Sequence, residues 1–215
     1  MQRLSLRLTD RHDWVKVFDP RGGGIFVTVE TPPPVGADVR VDLTLEDGGP
    51  RVILRGTVLW RRDDPAGRDP VGCSVGLLAT DREKINFLNG YVRGGLLNRR
   101  ERRRLPLRLP VTFGGIDGPV DTFTRDINEE GIFILADAPL PEGTLVHFVV
   151  GIPDREEQLE LRGYVTHTVI VEDDDVPGMG VRYETDATQA AELVAIVDKL
   201  EAAFMVGSLP DDVIS

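Results

Sequence analysis

Gly131-Ile-Phe-Ile134 repeats Gly24-Ile-Phe-Val27 at an offset of 107 residues, and the echo extends outward on both sides. Pro139, Pro141 and Gly143 match Pro32, Pro34 and Gly36 at the same offset, and Arg162-Gly163 matches Arg55-Gly56. Gly178-Met-Gly-Val181 then matches Gly72-Cys-Ser-Val75 at 106, whereas upstream Arg104-Leu-Pro-Leu-Arg-Leu109 matches Arg3-Leu-Ser-Leu-Arg-Leu8 at only 101. The chain therefore contains two copies of one fold, the first about six residues shorter near its start. Within each copy apolar and polar residues alternate, as in Val39-Arg-Val-Asp-Leu-Thr-Leu45 and Leu159-Glu-Leu-Arg-Gly-Tyr-Val165, the period of a half-buried strand. Glycine, proline and aspartate clusters separate these runs at turn-like intervals.

Short strands at this density predict a mainly β protein: two small antiparallel barrels, each followed by a C-terminal helix. The first helix starts near Thr80-Asp-Arg-Glu83, a capping-box spacing, and stops at Gly94-Gly95. The second runs from about Asp186 to Phe204, with Leu193, Val197, Leu200 and Phe204 on one face. The expected organisation is a first domain over 1–95, a second over 96–205 and a loose acidic tail over 206–215.

Charge is unevenly spread. The net −11 comes from the C-terminal 117 residues, with 11 basic against 23 acidic side chains, while residues 1–98 are close to neutral. Inside that acidic half, residues 99–108 hold six arginines and one glutamate. Proteins that grip long nucleic acid spread basic charge over a face, because affinity scales with the phosphates neutralised. A compact basic spot in an acidic domain suits a small anionic ligand instead. No apolar run is long enough to span a membrane or to serve as a signal peptide. Cys73 is the single cysteine, which excludes an internal disulfide and fits a cytoplasmic location.

The basic spot reads Asn98-Arg-Arg-Glu-Arg-Arg-Arg-Leu-Pro106, and 22 residues beyond Arg104 comes Asp126-Ile-Asn-Glu-Glu-Gly131, leading into Ile132-Phe-Ile-Leu135. Here the sequence resembles the PilZ family. Arg99, Arg100 and Arg104 fit its Arg-Arg-x-x-x-Arg segment. Asp126 and Gly131 fit its Asp/Asn-x-Ser-x-x-Gly motif, with Asn128 in place of the usual serine, and Gly178-Met-Gly-Val-Arg-Tyr183 resembles its closing strand. The resemblance implies a receptor for cyclic di-GMP, a ligand and not a cofactor, with Arg99, Arg100, Arg104, Asp126, Asn128 and Gly131 as its binding residues. Guanidinium forks suit phosphate and the guanine O6/N7 edge. A carboxylate at Asp126 would accept from guanine N1–H and the exocyclic amine, Asn128 offers both donor and acceptor, and Gly131 permits a close backbone approach or a positive φ. Taken singly, an arginine-rich tether and an Asx turn before a strand are the plain readings of these segments. Together, in this order, they favour ligand binding.

The first copy lacks most of this apparatus: Asp19-Pro-Arg-Gly-Gly-Gly24 stands where Asp126 to Gly131 stand, with Arg21 in the place of Asn128. It is a degenerate copy, its glycines making a hairpin bend. His12, His147 and His167 have no zinc spacing, Glu172-Asp-Asp-Asp175 lacks the alternation of a calcium loop, and Trp14 and Trp60 suit core or rim positions. No nucleophile, metal or paired-acid arrangement suggests an enzyme. The expected function is a cyclic di-GMP effector in which ligand binding orders the arginine linker and reorients one barrel against the other, regulating motility, attachment or polysaccharide export. The expectation includes a protein partner, leaves homodimerisation open, and has no place for nucleic acid or membrane insertion. The alternative is a PilZ-fold adaptor that binds no nucleotide.

Overall fold

A computed structural model describes residues 1–46, 48–63, 70–92, 104–170 and 176–214. The chain divides into two compact units, Met1–Leu97 with Met205–Gly207, and Asn98–Phe204 with Ser208–Ser215. Among the described residues no helix is long and apolar enough to cross a membrane.

The second unit is a closed barrel. Its strands are β7 (Pro110–Gly115), β8 (Gly118–Ile127), β9 (Gly131–Leu135), β10 (Leu145–Val150), β11 (Leu159–Val169) and β12 (Gly178–Tyr183). All six pair antiparallel in the order β10-β11-β12-β9-β8-β7, and Phe113 opposite Phe148 completes the ring. The alternation in β11 places Leu159, Leu161 and Val165 inward, together with Val111, Phe113, Val146, Phe148, Val150 and Val181 from neighbouring strands. Each such side chain contributes about 1.5–3 kcal/mol when fully buried. Helix α3 (Ala187–Met205) opens on Asp186, whose carboxylate accepts from the Thr188 and Gln189 amides at 2.9 Å each, an N-cap. Leu193, Val197, Leu200 and Phe204 form its buried stripe.

The first unit contains β1 (Gln2–Leu8), α1 (Trp14–Val17), β2 (Phe18–Asp19), β3 (Gly24–Thr28), β4 (Asp38–Leu45), β5 (Arg51–Arg62), β6 (Gly72–Leu77) and α2 (Arg82–Val92). The repeat holds at the turn before β4 and β10. Gly36 and Gly143 adopt φ of 85° and 81°, and their amides donate to Val58 O and Val165 O at 2.8 Å. A register shift follows in each copy, at Val58/Trp60 in β5 and at Val165/His167 in β11. Trp14 is fully buried, donating from its indole to Asn89 at 2.9 Å, whereas Trp60 stays 45% exposed on the rim, stacked on Phe26.

Two expectations need correction. The first unit is not a closed barrel: its sheet is open, in the order β1-β4-β5-β6-β3-β2, and β1 runs parallel to β4. The cause is the early shortening. Twenty-one residues separate Leu109 from Gly131, enough for the β7–β8 hairpin, but only fifteen separate Leu8 from Gly24. Those fifteen hold a 3-10 turn, α1 and the two-residue β2, which sits beside β3 as β8 sits beside β9 but is too short to reach β1 as β8 reaches β7. The C-terminal segment, in turn, is not loose. Leu209, Val213 and Ile214 are buried, and the Arg108 amide donates to Val213 O at 2.8 Å. Its three apolar side chains outweigh the acidic residues between them.

Candidate functional site

The segment that precedes β7 is stitched to the end of β8. Leu105 and Ile127 exchange backbone hydrogen bonds, N to O at 2.8 and 3.0 Å. Two residues on, the Thr124 hydroxyl accepts from the Leu109 amide at 2.8 Å and donates to Leu107 O, while Leu105, Leu107 and Leu109 are fully buried. This short ladder explains how residues 22 apart in sequence meet: it sets Arg104 beside Asp126. The Arg104 guanidinium donates to Asp126 Oδ1 at 2.6 Å. β8 also shifts register between Thr124 and Asp126, the kind of bulge that re-aims side chains next to sites.

Asp126 is the anchor of the cluster. Its side chain is 0% exposed, and both oxygens are engaged, Oδ1 by Arg104 and Oδ2 by Arg125 Nε at 2.9 Å. The Arg125 guanidinium lies over Phe133, its Cζ 3.6 Å from the ring centroid, a cation–π contact that holds it from the other side. Arg104, by contrast, keeps 40% of its side chain exposed. A buried carboxylate thus holds one arginine against the barrel and presents another to solvent. Charge-assisted bonds of this kind are about twice as strong as neutral ones.

The turn from Asp126 to Gly131 is held by Asn128. Its Oδ1 accepts from the Glu130 amide at 3.0 Å and the Gly131 amide at 2.8 Å, and its own amide donates to Gly131 O at 2.9 Å. The carbonyl end of Asn128 is therefore committed to an Asx turn. Gly131 is required by close approach and not by a positive φ: a Cβ there would stand 2.5 Å from Val181 O on β12. Asn128→Ala is expected to cost about 1–2 kcal/mol, because two amides lose their acceptor and that of Gly131 is buried. The shift of the chemical-denaturation midpoint measures it.

Arg104, Asp126, Asn128 and Gly131 are thus gathered at one end of β8 and β9, while Arg99 and Arg100 lie outside the described residues. So do the predicted helix stop at Gly94-Gly95, the boundary at 95/96 and the Glu172–Asp175 run. Two residues here were not among the expected binding residues, although Tyr183 closes the Gly178–Tyr183 motif. Arg125 carries no spacing signal, because only the fold shows that it shares the carboxylate of its neighbour. Tyr183 ends β12, and its amide donates to Glu130 O at 3.0 Å, which brings it against the turn. In the first unit the corresponding bend is closed differently: the Asp19 carboxylate accepts from the Arg21 amide at 2.9 Å and Gly23 N donates to Asp19 O. That is the expected hairpin bend, without an arginine cluster on a buried acid among the described residues. Nor, among those residues, is any group of three or more His, Cys, Asp or Glu placed to hold a metal ion.

The family model described as PilZ domain matches residues 3–93 and 98–199. No curated protein matches the chain. Among solved structures, the Bacillus subtilis inhibitor of motility MotI/DgrA is similar at 13% identity and a TM-score of 0.42, over 86% of this chain and 87% of that one. The Escherichia coli YcgR PilZ domain with c-di-GMP is similar at 16% identity and a TM-score of 0.38, over 49% of this chain and 93% of that one. MrkH of K. pneumonia is similar at 15% identity and a TM-score of 0.41, over 83% of this chain and 77% of that one.

Proposed function

The chain belongs to the PilZ domain family, in two successive copies, and from that premise we propose that it is a cyclic di-GMP receptor whose site lies in the second copy. One observation carries the reading: the half-exposed guanidinium of Arg104 is held at the barrel end by the fully buried Asp126. The bond between them is an exchangeable one. A phosphate oxygen of the dinucleotide would take over the Arg104 guanidinium, bidentately and at any physiological pH. The Asp126 oxygen released in the exchange would accept from guanine N1–H and the exocyclic amine, donors that an arginine leaves unsatisfied. Arg99 and Arg100 would supply further phosphate and guanine contacts. Asn128 and Gly131 serve by shaping the turn that carries Asp126.

Binding of this kind transduces a signal without catalysis. The arginine segment opens the second matched region, with residues 94–97 between it and the first, so we read a ligand that engages it as acting where one copy follows the other in the chain. The reading makes the protein a cytoplasmic effector with a protein partner downstream, in motility, attachment or polysaccharide export. A second reading, a PilZ-fold adaptor without nucleotide, draws on one observation: both Asp126 oxygens and the Asn128 carbonyl are engaged by the protein's own groups.

Isothermal titration of the full chain separates the two. Cyclic di-GMP is expected to bind saturably, and GTP and cyclic di-AMP not at all. Arg104→Ala is expected to weaken binding about 30-fold, the effect of losing a charge-assisted bond worth about 2 kcal/mol, and Arg100→Ala by a similar factor. No binding by titration and by a second, non-calorimetric method would leave the adaptor.

A further inference from the structure

We propose that the Tyr183 hydroxyl is a ligand contact, a hydrogen-bond donor held ready for an oxygen of the bound cyclic dinucleotide, an assignment that rests on the receptor reading above. Among the described residues, it is the single buried side-chain oxygen or nitrogen with no hydrogen-bond partner. Buried polar groups are paired in the great majority of cases, and each exception calls for an explanation. The position of this one supplies it. The Tyr183 amide donates to Glu130 O, and its strand neighbour Arg182 pairs with Gly131, so the residue abuts the turn that carries Asp126 and Asn128. Its ring packs against Phe148, with centroids 6.3 Å apart, which leaves the ring's position fixed and the hydroxyl as the variable group.

The first copy provides an internal control. There Leu77 donates from its amide to Gly23 O, the counterpart of the bond from Tyr183 to Glu130 O, and Gly76 pairs with Gly24 as Arg182 pairs with Gly131. The two residues hold the same place in the same fold, and the copy without the arginine cluster has a purely apolar side chain there. The fold is thus served by leucine. What tyrosine adds is an oxygen, at a place where it finds no protein partner and where burial makes an unpaired hydroxyl unfavourable. Such a group is useful if something else arrives to accept its proton.

The electrostatics agree on which form is present. Burial pushes the hydroxyl well above the ordinary tyrosine range; the Arg104 charge pulls it back, and the carboxylates of Asp126 and Glu129 push it further up. The group stays protonated and so has a hydrogen to offer to a ligand oxygen. That those three side chains act on it also places it within the field of the cluster on which Arg104 and Asp126 meet.

Tyr183→Phe tests this in the full chain, since it removes one atom and keeps the ring. Two readouts are needed: the melting temperature without ligand, and titration with cyclic di-GMP. The expected result is an unchanged or raised melting temperature together with about tenfold weaker binding, the loss of one hydrogen bond. Wild-type binding with equal affinity in the variant would overturn the assignment and leave the receptor reading standing. A lowered melting temperature would also overturn it, by showing that the hydroxyl is bonded within the protein. Absence of binding by the wild type would remove both this assignment and the reading on which it rests.

Discussion

Asp126→Ala is expected to destabilise the second unit by about 3 kcal/mol, at the lower end of the range for breaking a buried ion pair because Arg104 is partly solvated. The loss is asymmetric. Arg104 can turn to water, but Arg125 is pinned over Phe133 and would retain a mostly buried charge with its carboxylate gone. Against a typical domain stability of about 5–15 kcal/mol this is a large fraction. Asp126→Asn keeps an oxygen acceptor and should fall between the wild type and alanine. Both tryptophans, Trp14 and Trp60, lie in the first unit, so far-UV circular dichroism would follow the second unit's loss while tryptophan fluorescence supplies the reference. A midpoint shift under 1 kcal/mol would mean that the carboxylate does not anchor the cluster. Under the receptor reading, Asp126→Ala also loses cyclic di-GMP binding at temperatures where it remains folded.

The mirror experiment in the first unit is Lys84→Met, where a loss of about 3–5 kcal/mol is expected. Lys84 lies in α2 but is buried, donating from Nζ to Asp81 Oδ1 at 2.7 Å and to Ile53 O at 2.8 Å. Asp81 completes the arrangement by accepting the Arg55 amide at 2.6 Å. The pair thus clamps the helix start to two backbone groups of β5. Methionine preserves the volume, so the cost isolates the charge: the buried Asp81 carboxylate would keep one backbone amide and lose its cation. The double variant Asp81→Asn, Lys84→Met should recover part of the loss, because the pair is then removed and not halved. Tryptophan fluorescence reports directly on this unit. An unshifted midpoint in Lys84→Met would show that the bridge contributes nothing net.

Much of this architecture was legible in the chain, for reasons tied to particular residues. The alternation in Val39–Leu45 and Leu159–Val165 marks strands because a half-buried pleat has no other way to satisfy two environments. The matched Pro-x-Pro-x-Gly segments are legible because Gly36 and Gly143 occupy positive φ, where a side chain is strained. The Asp126–Gly131 turn has a local signature for the same kind of reason. What escaped depends on distant contacts. The six-residue shortening is visible in the repeat offsets, but its effect depends on whether a hairpin fits between two strands that sequence does not place. Leu209, Val213 and Ile214 have no strand or helix period, so the acidic residues around them dominate the reading. The burial of Lys84 depends on Ile53 and Arg55, about 30 residues away, and the solitude of the Tyr183 hydroxyl on the absence of any such neighbour.

The open sheet has a consequence for association. A closed ring exposes no strand edge, whereas the first unit's sheet ends in β1 on one side and the two-residue β2 on the other. The outer side of β1 is a row of backbone donors and acceptors on which any extended chain could dock, the usual seed of sticking and fibre growth. Its sequence meets that hazard: Leu4, Leu6 and Leu8 point into the core, while Arg3, Ser5 and Arg7 alternate with them on the exposed face. A second strand laid alongside would bring bulky cations into close range of its own side chains, which discourages an identical β1 most of all. Losing the hairpin thus left an adhesive border, and the arginines of β1 act as its gatekeepers.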